Sequence, residues 1–276
     1  MAVNLASKYS AQVDEKFALE SVTATAVNND FDFVGVNAIN VYGITTQALG
    51  DYTRTGANRY GTPSEIQDTK QTLTMSQDKS FSMTVDRGNF DEQMMVKESG
   101  KALARQIKEQ VVPAIDKRRL AVMVTGAGTT ATADITTSNA YDKFLDGIVT
   151  LTDNSVPESG RIAYVAPAFY KAIKQDSSFI LASDLGQDML VKGSLGMIDG
   201  VNIIMVPTSY LADDVQFLIT HKVATVGPVK LESYKIHDNP PGINGFLIEG
   251  RVIFDAFVLD NKDMAVYCHK KTASAG

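Results

Sequence analysis

The chain has one cysteine, Cys268, in 276 residues. A lone thiol cannot close an internal disulfide, which fits a reducing compartment. Histidine is scarce too: only His221, His237 and His269 are present. No Cys-x-x-Cys or His-x-x-x-His spacing occurs, and Cys268 and His269, adjacent in a strand, would point to opposite faces, so no zinc site is expected. No stretch approaches the roughly 18 apolar residues of a membrane-spanning helix. The segment Met1-Ala-Val-Asn-Leu-Ala-Ser-Lys8 lacks the charged and then apolar build of a signal peptide. No membrane partner is therefore expected, and the chain reads as cytosolic or assembled from the cytosol. Positive charge is also in deficit, with 26 basic against 32 acidic residues and a net charge of −6. A protein held on DNA by its overall charge would be basic, so that class loses weight.

What is present is a globular composition, 44% hydrophobic and 21% charged. Surface scaling for this mass gives about 11,600 Å² exposed when folded against about 43,000 Å² unfolded, three-quarters buried in a compact monomer. Along the chain, residues 1–32 read as an N-terminal arm. Leu5, Tyr9, Val13 and Phe17 sit at helical spacing, in a helix too short to stand unpacked. Residues 33–49 are β-branched in places and predict a strand. Residues 51–65 follow as a loop marked by glycines, Asn58 and Pro63. From Thr72 to Asp86 every even position is polar and most odd ones are apolar. This predicts one long strand projecting with 33–49 as a two-stranded ribbon, with a turn at 76–80 as the competing reading. A lone ribbon is marginal in water, so it implies a partner surface, expected to be another copy of the chain.

Residues 91–124 carry a helical stripe through Val96, Leu103, Ile107, Val111, Ala114 and Ala121, with a kink or break expected near 109–113 because of Pro113. Gly126 and Gly128 end it. Asn139 predicts the cap of a helix carrying Phe144, Leu145 and Ile148. A strand at 161–166, helices from Pro167 and near 184–191, and strands at 201–206 and 215–219 follow. The tail reads as strands 223–236, 245–259 and 264–268, with a turn at Asn239-Pro-Pro-Gly242. The order predicts an α+β fold of two interlocked lobes.

Several motifs could carry chemistry. Gly126-Ala-Gly128-Thr-Thr-Ala131 matches a dinucleotide-binding fingerprint, but that motif needs a strand before it and a helix after it, and here a helix precedes. It predicts a helix-ending loop, leaving a nucleotide-dependent soluble enzyme as a remote alternative. Ser194 lacks the Gly-x-Ser-x-Gly elbow of a nucleophile. Asp213-Asp214 reads as a solvated loop. The basic run Lys117-Arg118-Arg119, with Lys101, Arg105 and Lys108, could face nucleic acid or form a solvated or interface face. No catalytic, cofactor-binding or metal residue is assigned.

The order of these features resembles the major capsid proteins of tailed bacteriophages, with the Hong Kong 97-type coat fold that encapsulin shells share. Asp51-Tyr-Thr-Arg-Thr-Gly-Ala-Asn-Arg-Tyr-Gly61 with strand 72–86 is similar to that family's extended loop, and helix 91–124 to its spine helix. Gly193 to Pro207 resembles a glycine-punctuated strand of the axial lobe, and Gly250 to Asp260 the closing strands of the peripheral lobe. The resemblance implies an arm at 1–32, an extended loop with flanking strands at 33–90 and a spine helix at 91–125. An axial domain at 126–222 and closing peripheral strands at 223–276 complete it. It implies a structural protein with no enzymatic activity and no cofactor, self-assembling as hexamers and pentamers into an icosahedral virion shell. That shell would form in the host cytoplasm and enclose double-stranded DNA without sequence-specific binding. Arg54, Arg59, Tyr60, Lys70 and Lys79 are then the expected inter-subunit contacts of the extended loop. With the ribbon beginning near residue 33, no N-terminal scaffolding segment is expected, which implies a separate scaffolding protein, or assembly without one, and a portal. Lys70 and Lys79 lie where some members form lysine–asparagine cross-links, but the asparagine and catalytic glutamate have no match here, so cross-linking is not expected. An encapsulin-type compartment is the alternative within the fold.

Overall fold

The structure, a computed structural model, describes residues 21–31, 33, 38–63, 65–86, 98–182 and 196–272. Strand β1 (Ala38–Ile44) pairs antiparallel with β2 (Asp68–Thr74), setting Ile39 opposite Leu73 and Tyr42 opposite Lys70. The fifteen-residue strand expected from the alternation is two strands. β2 stops at Thr74, and β3 (Gln77–Asp86) resumes after two residues with another partner, β11 (Gly245–Phe254). Nor does the ribbon project. Its face of Ile39, Val41 and Leu73 packs with Phe33, Met75, Val226 and Leu259 in a small core. Only the loop between the strands stands free, every described residue from 45 to 67 being exposed. Leu5, Tyr9, Val13 and Phe17 of the arm lie outside the described residues.

The described part of the long helix runs as α1 (Glu98–Gln106), a π turn at Ile107–Val111 and α2 (Val112–Thr125). Pro113 sits in the first turn of α2 and has no N–H to offer the preceding turn. The wider π turn just before it takes up that missing bond, and is the break expected near 109–113. Leu103, Ile107, Val111, Val112 and Ile115 pack on Tyr234, Ile248, Val252 and Phe254. These belong to a three-stranded antiparallel sheet, β10 (Val229–Asp238), β11 and β3. The β10–β11 turn takes positive φ at Asn239 (47°) and Gly242 (84°), and the Asn239 carboxamide accepts the Gly245 N–H.

The second lobe is a six-stranded sheet. Its order is β4 (Thr129–Thr132), β13 (Val266–Lys270), β8 (Val215–His221), β5 (Arg161–Val165), β7 (Val201–Met205) and β6 (Met197–Ile198). On one face α3 (Ala140–Asp153) and α4 (Pro167–Gln175) bring Phe144, Leu151, Phe169 and Ile173 onto Phe217 and Ile219. On the other, Leu120 and Met123 of α2 meet Tyr164, Leu218 and Cys268. One long helix thus serves two cores, its first half against the small sheet and its second against the large one. The last strand departs from expectation. Instead of closing the first lobe, β13 lies between β4 and β8, parallel to the former and antiparallel to the latter.

Local capping also differs. Asn139 precedes α3, but its Oδ1 accepts the Thr136 N–H, and the helix N-terminus is held from a distance by buried Asp176, which accepts Tyr141 N–H (3.0 Å). Asp176 also accepts Ser178 N–H at the start of α5 (Ser177–Ala182). The helix expected at 184–191 falls outside the described residues. At the other end of α3, fully buried Arg161 donates to the carbonyls of Ile148, Val156 and Pro157 and to Thr152 Oγ1. A cation at a helix C-terminus suits the dipole there. Among the described residues no helix is long and apolar enough to cross a membrane.

Candidate functional site

Each local feature of the free loop is a turn device. At its root, Thr45 donates to the Gln67 carbonyl through its N–H (3.2 Å) and hydroxyl (2.8 Å). At its tip, Thr53 N–H donates to Arg59 O and Gly61 N–H to Asn58 O, with positive φ at Gly56, Asn58 and Gly61. Tyr52 and Tyr60 meet edge to face at 5.1 Å, and Arg59 Nε donates to Gly56 O. The structure therefore gathers Arg54, Arg59 and Tyr60 at one exposed tip. Lys70 lies lower, on the outer face of the ribbon beside Tyr42. Lys79 is not in the loop at all: it sits on β3 opposite Val252, within the body sheet, because the strand changes partner at residues 75–76.

The loop and ribbon concentrate unburied apolar surface. Of the ten large hydrophobic side chains exposed among the described residues, six lie between 42 and 66: Tyr42, Ile44, Leu49, Tyr52, Tyr60 and Ile66. Tyr60 is 92% exposed and Ile44 72%. Large apolar side chains left in water at this density point to an interaction surface.

The ribbon is fixed to the body by polar anchors that the sequence did not reveal. Asp255 accepts Ser76 N–H (2.7 Å), Ser76 Oγ (2.8 Å), Ala256 N–H (2.9 Å) and Arg118 Nε (2.8 Å). Burial by itself would raise the Asp255 carboxyl, but the Arg118 bond and the bonds from Ser76 and Ala256 outweigh it and hold it below its ordinary value. A second anchor is Gln71, whose Nε2 donates to Val258 O (2.9 Å) and Asp260 Oδ1 (2.8 Å) while its Oε1 accepts Asp260 N–H (3.1 Å). The arm is anchored in the same way. Buried Asp116 accepts Ser21 Oγ, Val22 N–H and Thr23 Oγ1, and the Tyr164 hydroxyl donates to Val22 O.

These anchors settle the basic run. Arg118 is the ion partner of Asp255, buried Arg119 donates to Gly227 O (2.7 Å) and Thr23 Oγ1, and Lys117 lies over the Tyr210 ring. All three side chains make contacts within the subunit, Arg119 buried, Arg118 partly exposed and Lys117 still exposed. The Gly126–Ala131 loop is likewise filled by its own chain. Gly128 N–H donates to Asp263 O (3.0 Å), and a Cβ there would stand 2.6 Å from the Asp263 carbonyl carbon. Asp214 pairs with Lys270 (2.9 Å). Burial pushes the Cys268 thiol up to about 11, so it is no ready nucleophile.

Against known proteins, a family described as phage capsid protein matches residues 78–268. The chain belongs to this family. The capsid protein has the α+β Hong Kong 97-type fold, as its solved relatives bear out. A structure from Mycobacterium phage Che8 superimposes with a TM-score of 0.68 at 20% identity, covering 90% of each chain. The capsid of cyanophage P-SCSP1u gives a TM-score of 0.72 at 12% identity, over 91% of this chain and 87% of its own. The capsid of Helicobacter pylori bacteriophage KHP30 gives 0.69 at 14%, over 88% and 87%. No curated protein matches the sequence. As a phage capsid protein the chain is a structural subunit of the virion and assembles with copies of itself. Among the described residues, the free loop and the outer face of the ribbon hold most of the large apolar side chains that this capsid protein's own body leaves uncovered.

Proposed function

We propose that this subunit closes, as hexamers and pentamers, into an icosahedral shell that confines double-stranded DNA without gripping it. The observation that carries this reading is the concentration of exposed large apolar side chains between Tyr42 and Ile66, which the subunit's own cores leave in water and a neighbouring copy would cover. Arg54, Arg59, Tyr60 and Lys70 are its proposed inter-subunit contacts. Each contact can be weak, since a closed lattice multiplies it. Confinement without gripping is supported by the net charge of −6 and by the engagement of Lys117, Arg118 and Arg119 inside the subunit. Assembly would take place in the host cytoplasm, with a separate scaffolding protein and a portal as further partners.

The test is deletion of residues 46–66, which spares both ribbon strands. The variant should keep its far-ultraviolet circular dichroism and cooperative unfolding yet form no stable shells by negative-stain electron microscopy. Normal particles from the variant would refute the assignment. In wild-type particles, nuclease-resistant DNA is expected, and particles that hold only a protein cargo would favour the compartment reading instead. Tight DNA binding by free subunits at physiological salt would refute confinement without gripping.

A further inference from the structure

One eleven-residue stretch, Asp255 to Ala265, touches both the ribbon and the six-stranded sheet. On the ribbon side it makes three contacts in succession. Asp255 takes the Ser76 N–H and hydroxyl at the β2–β3 junction. Val258 O and Asp260 clamp the carboxamide of Gln71, which sits opposite Val41 on the face that carries Ile39 and Leu73. Asn261 lies so close to Gly43 that a Cβ there would displace the end of its side chain.

On the other side the same stretch braces the end of the spine helix and the start of the large sheet. Phe257 and Val258, strand β12, pair with Val226 and Thr225, strand β9. Leu259 N–H donates to Ala224 O (3.0 Å). A Cβ on Gly126 would stand 2.8 Å from Val258 Cβ, and Gly128 is held against the Asp263–Met264 backbone just before β4. The stretch then runs directly into β13, which pairs with β4 and β8. Two adjacent residues carry both sets of contacts: Val258 accepts from Gln71 while pairing with Thr225 and facing Gly126, and Leu259 packs in the ribbon's core while its N–H donates to Ala224 O.

We propose that Asp255–Ala265 is a rail that couples the seating of the ribbon to the packing of β4 and β13 in the large sheet. A shift of the rail that lets Gln71 go also moves the backbone against which Gly128 rests, and the reverse holds by linkage. The ribbon's angle and the state of the axial sheet are then one variable in the subunit rather than two. The inference concerns a single subunit and does not depend on the shell reading.

The test is hydrogen exchange by mass spectrometry on the full-length protein, kept as free subunits and checked by size-exclusion chromatography. Gly128→Ala presses on the rail from the sheet side, and Gln71→Ala releases it from the ribbon side. Gly128→Ala should speed exchange of ribbon amides 38–44 and 68–74 about fivefold or more, while amides of β10 and β11 keep the wild-type rate. Gln71→Ala should do the reciprocal, speeding exchange at 129–132 and 266–270 as well as in the ribbon. Changes confined to the mutated side, or equal acceleration everywhere, overturn the coupling. Should Gly128→Ala fail to fold, Gln71→Ala decides the question alone.

Discussion

Replacing Asp255 by asparagine tests the anchor at the base of the ribbon. The carboxylate gathers four donors, two on each oxygen: Ser76 N–H and Oγ on Oδ2, Arg118 Nε and Ala256 N–H on Oδ1. An asparagine keeps only one acceptor oxygen, so whichever way it turns, its amide group faces two donors. Each lost bond to a charged acceptor is worth about 1.5–3 kcal/mol, and the donors left behind are desolvated. Arg118 is 37% exposed and recovers part of its hydration, whereas the carboxylate is 1% exposed. The net cost is then about 3 kcal/mol, or a fall in Tm of about 6–10 °C for a chain of this size.

Charge adds a second readout to the same variant. The Asp255 carboxyl is held below its ordinary value in the folded subunit, chiefly by Arg118, Ser76 and Ala256 against the opposing effect of burial. Its contribution is therefore fully present above the unfolded value of about 4 and is lost as pH falls through the lower folded value. The gap between wild type and Asp255→Asn should be widest at neutral pH and shrink as pH drops below about 4. Thermal unfolding followed by circular dichroism across that range measures both. A Tm within about 2 °C of wild type at pH 7, or a gap that does not narrow in acid, would refute the reasoning.

Arg161→Lys keeps the charge but replaces a five-donor fork by a single ammonium, which cannot reach Ile148 O, Val156 O, Pro157 O and Thr152 Oγ1 together. It should lower stability by about 2–4 kcal/mol, and an unchanged urea midpoint would show that the carbonyl cage contributes little. For His269, stacked on Phe217 at 4.9 Å, burial lowers the pKa, aided by Lys143 and opposed by the Ala133 carbonyl and Asp146. Protonation then favours the unfolded chain, so stability should fall as pH drops below about 6.5. His269→Phe should remove that loss, and an identical pH profile in the variant would count against it.

The alternation over 72–86 shows how far the sequence could be read. It correctly gave the buried face, because Leu73, Met75, Phe81 and Met83 all turn inward. Period two records which face is buried and says nothing about which strand lies alongside, so the change of partner at residues 75–76 was invisible. The competing turn at 76–80 placed a break in the strand, but Gln77 to Lys79 continue in β3 against β11. Pro113 announced the break in the helix because its chemistry is local. The basic run shows the opposite limit. Charge composition names a cation and not its partner, and Arg118 finds Asp255 137 residues away. The exposed loop was legible from glycines and Asn58, whereas its anchors Gln71 and Asp255 needed the fold.

The position of β13 has a consequence for the order of events during synthesis. The strand lies second in the six-stranded sheet, between β4 and β8, so the sheet has a gap there until residues 266–270 exist. A growing chain can form α3 and α4 early, but the small sheet must wait for β10 and β11, up to residue 254. The chain cannot close the large sheet until synthesis has passed residue 270, and translation proceeds at only about 5–20 residues per second. Closure of the large sheet is therefore a single late step, in which one short strand joins β4 to the rest of the sheet.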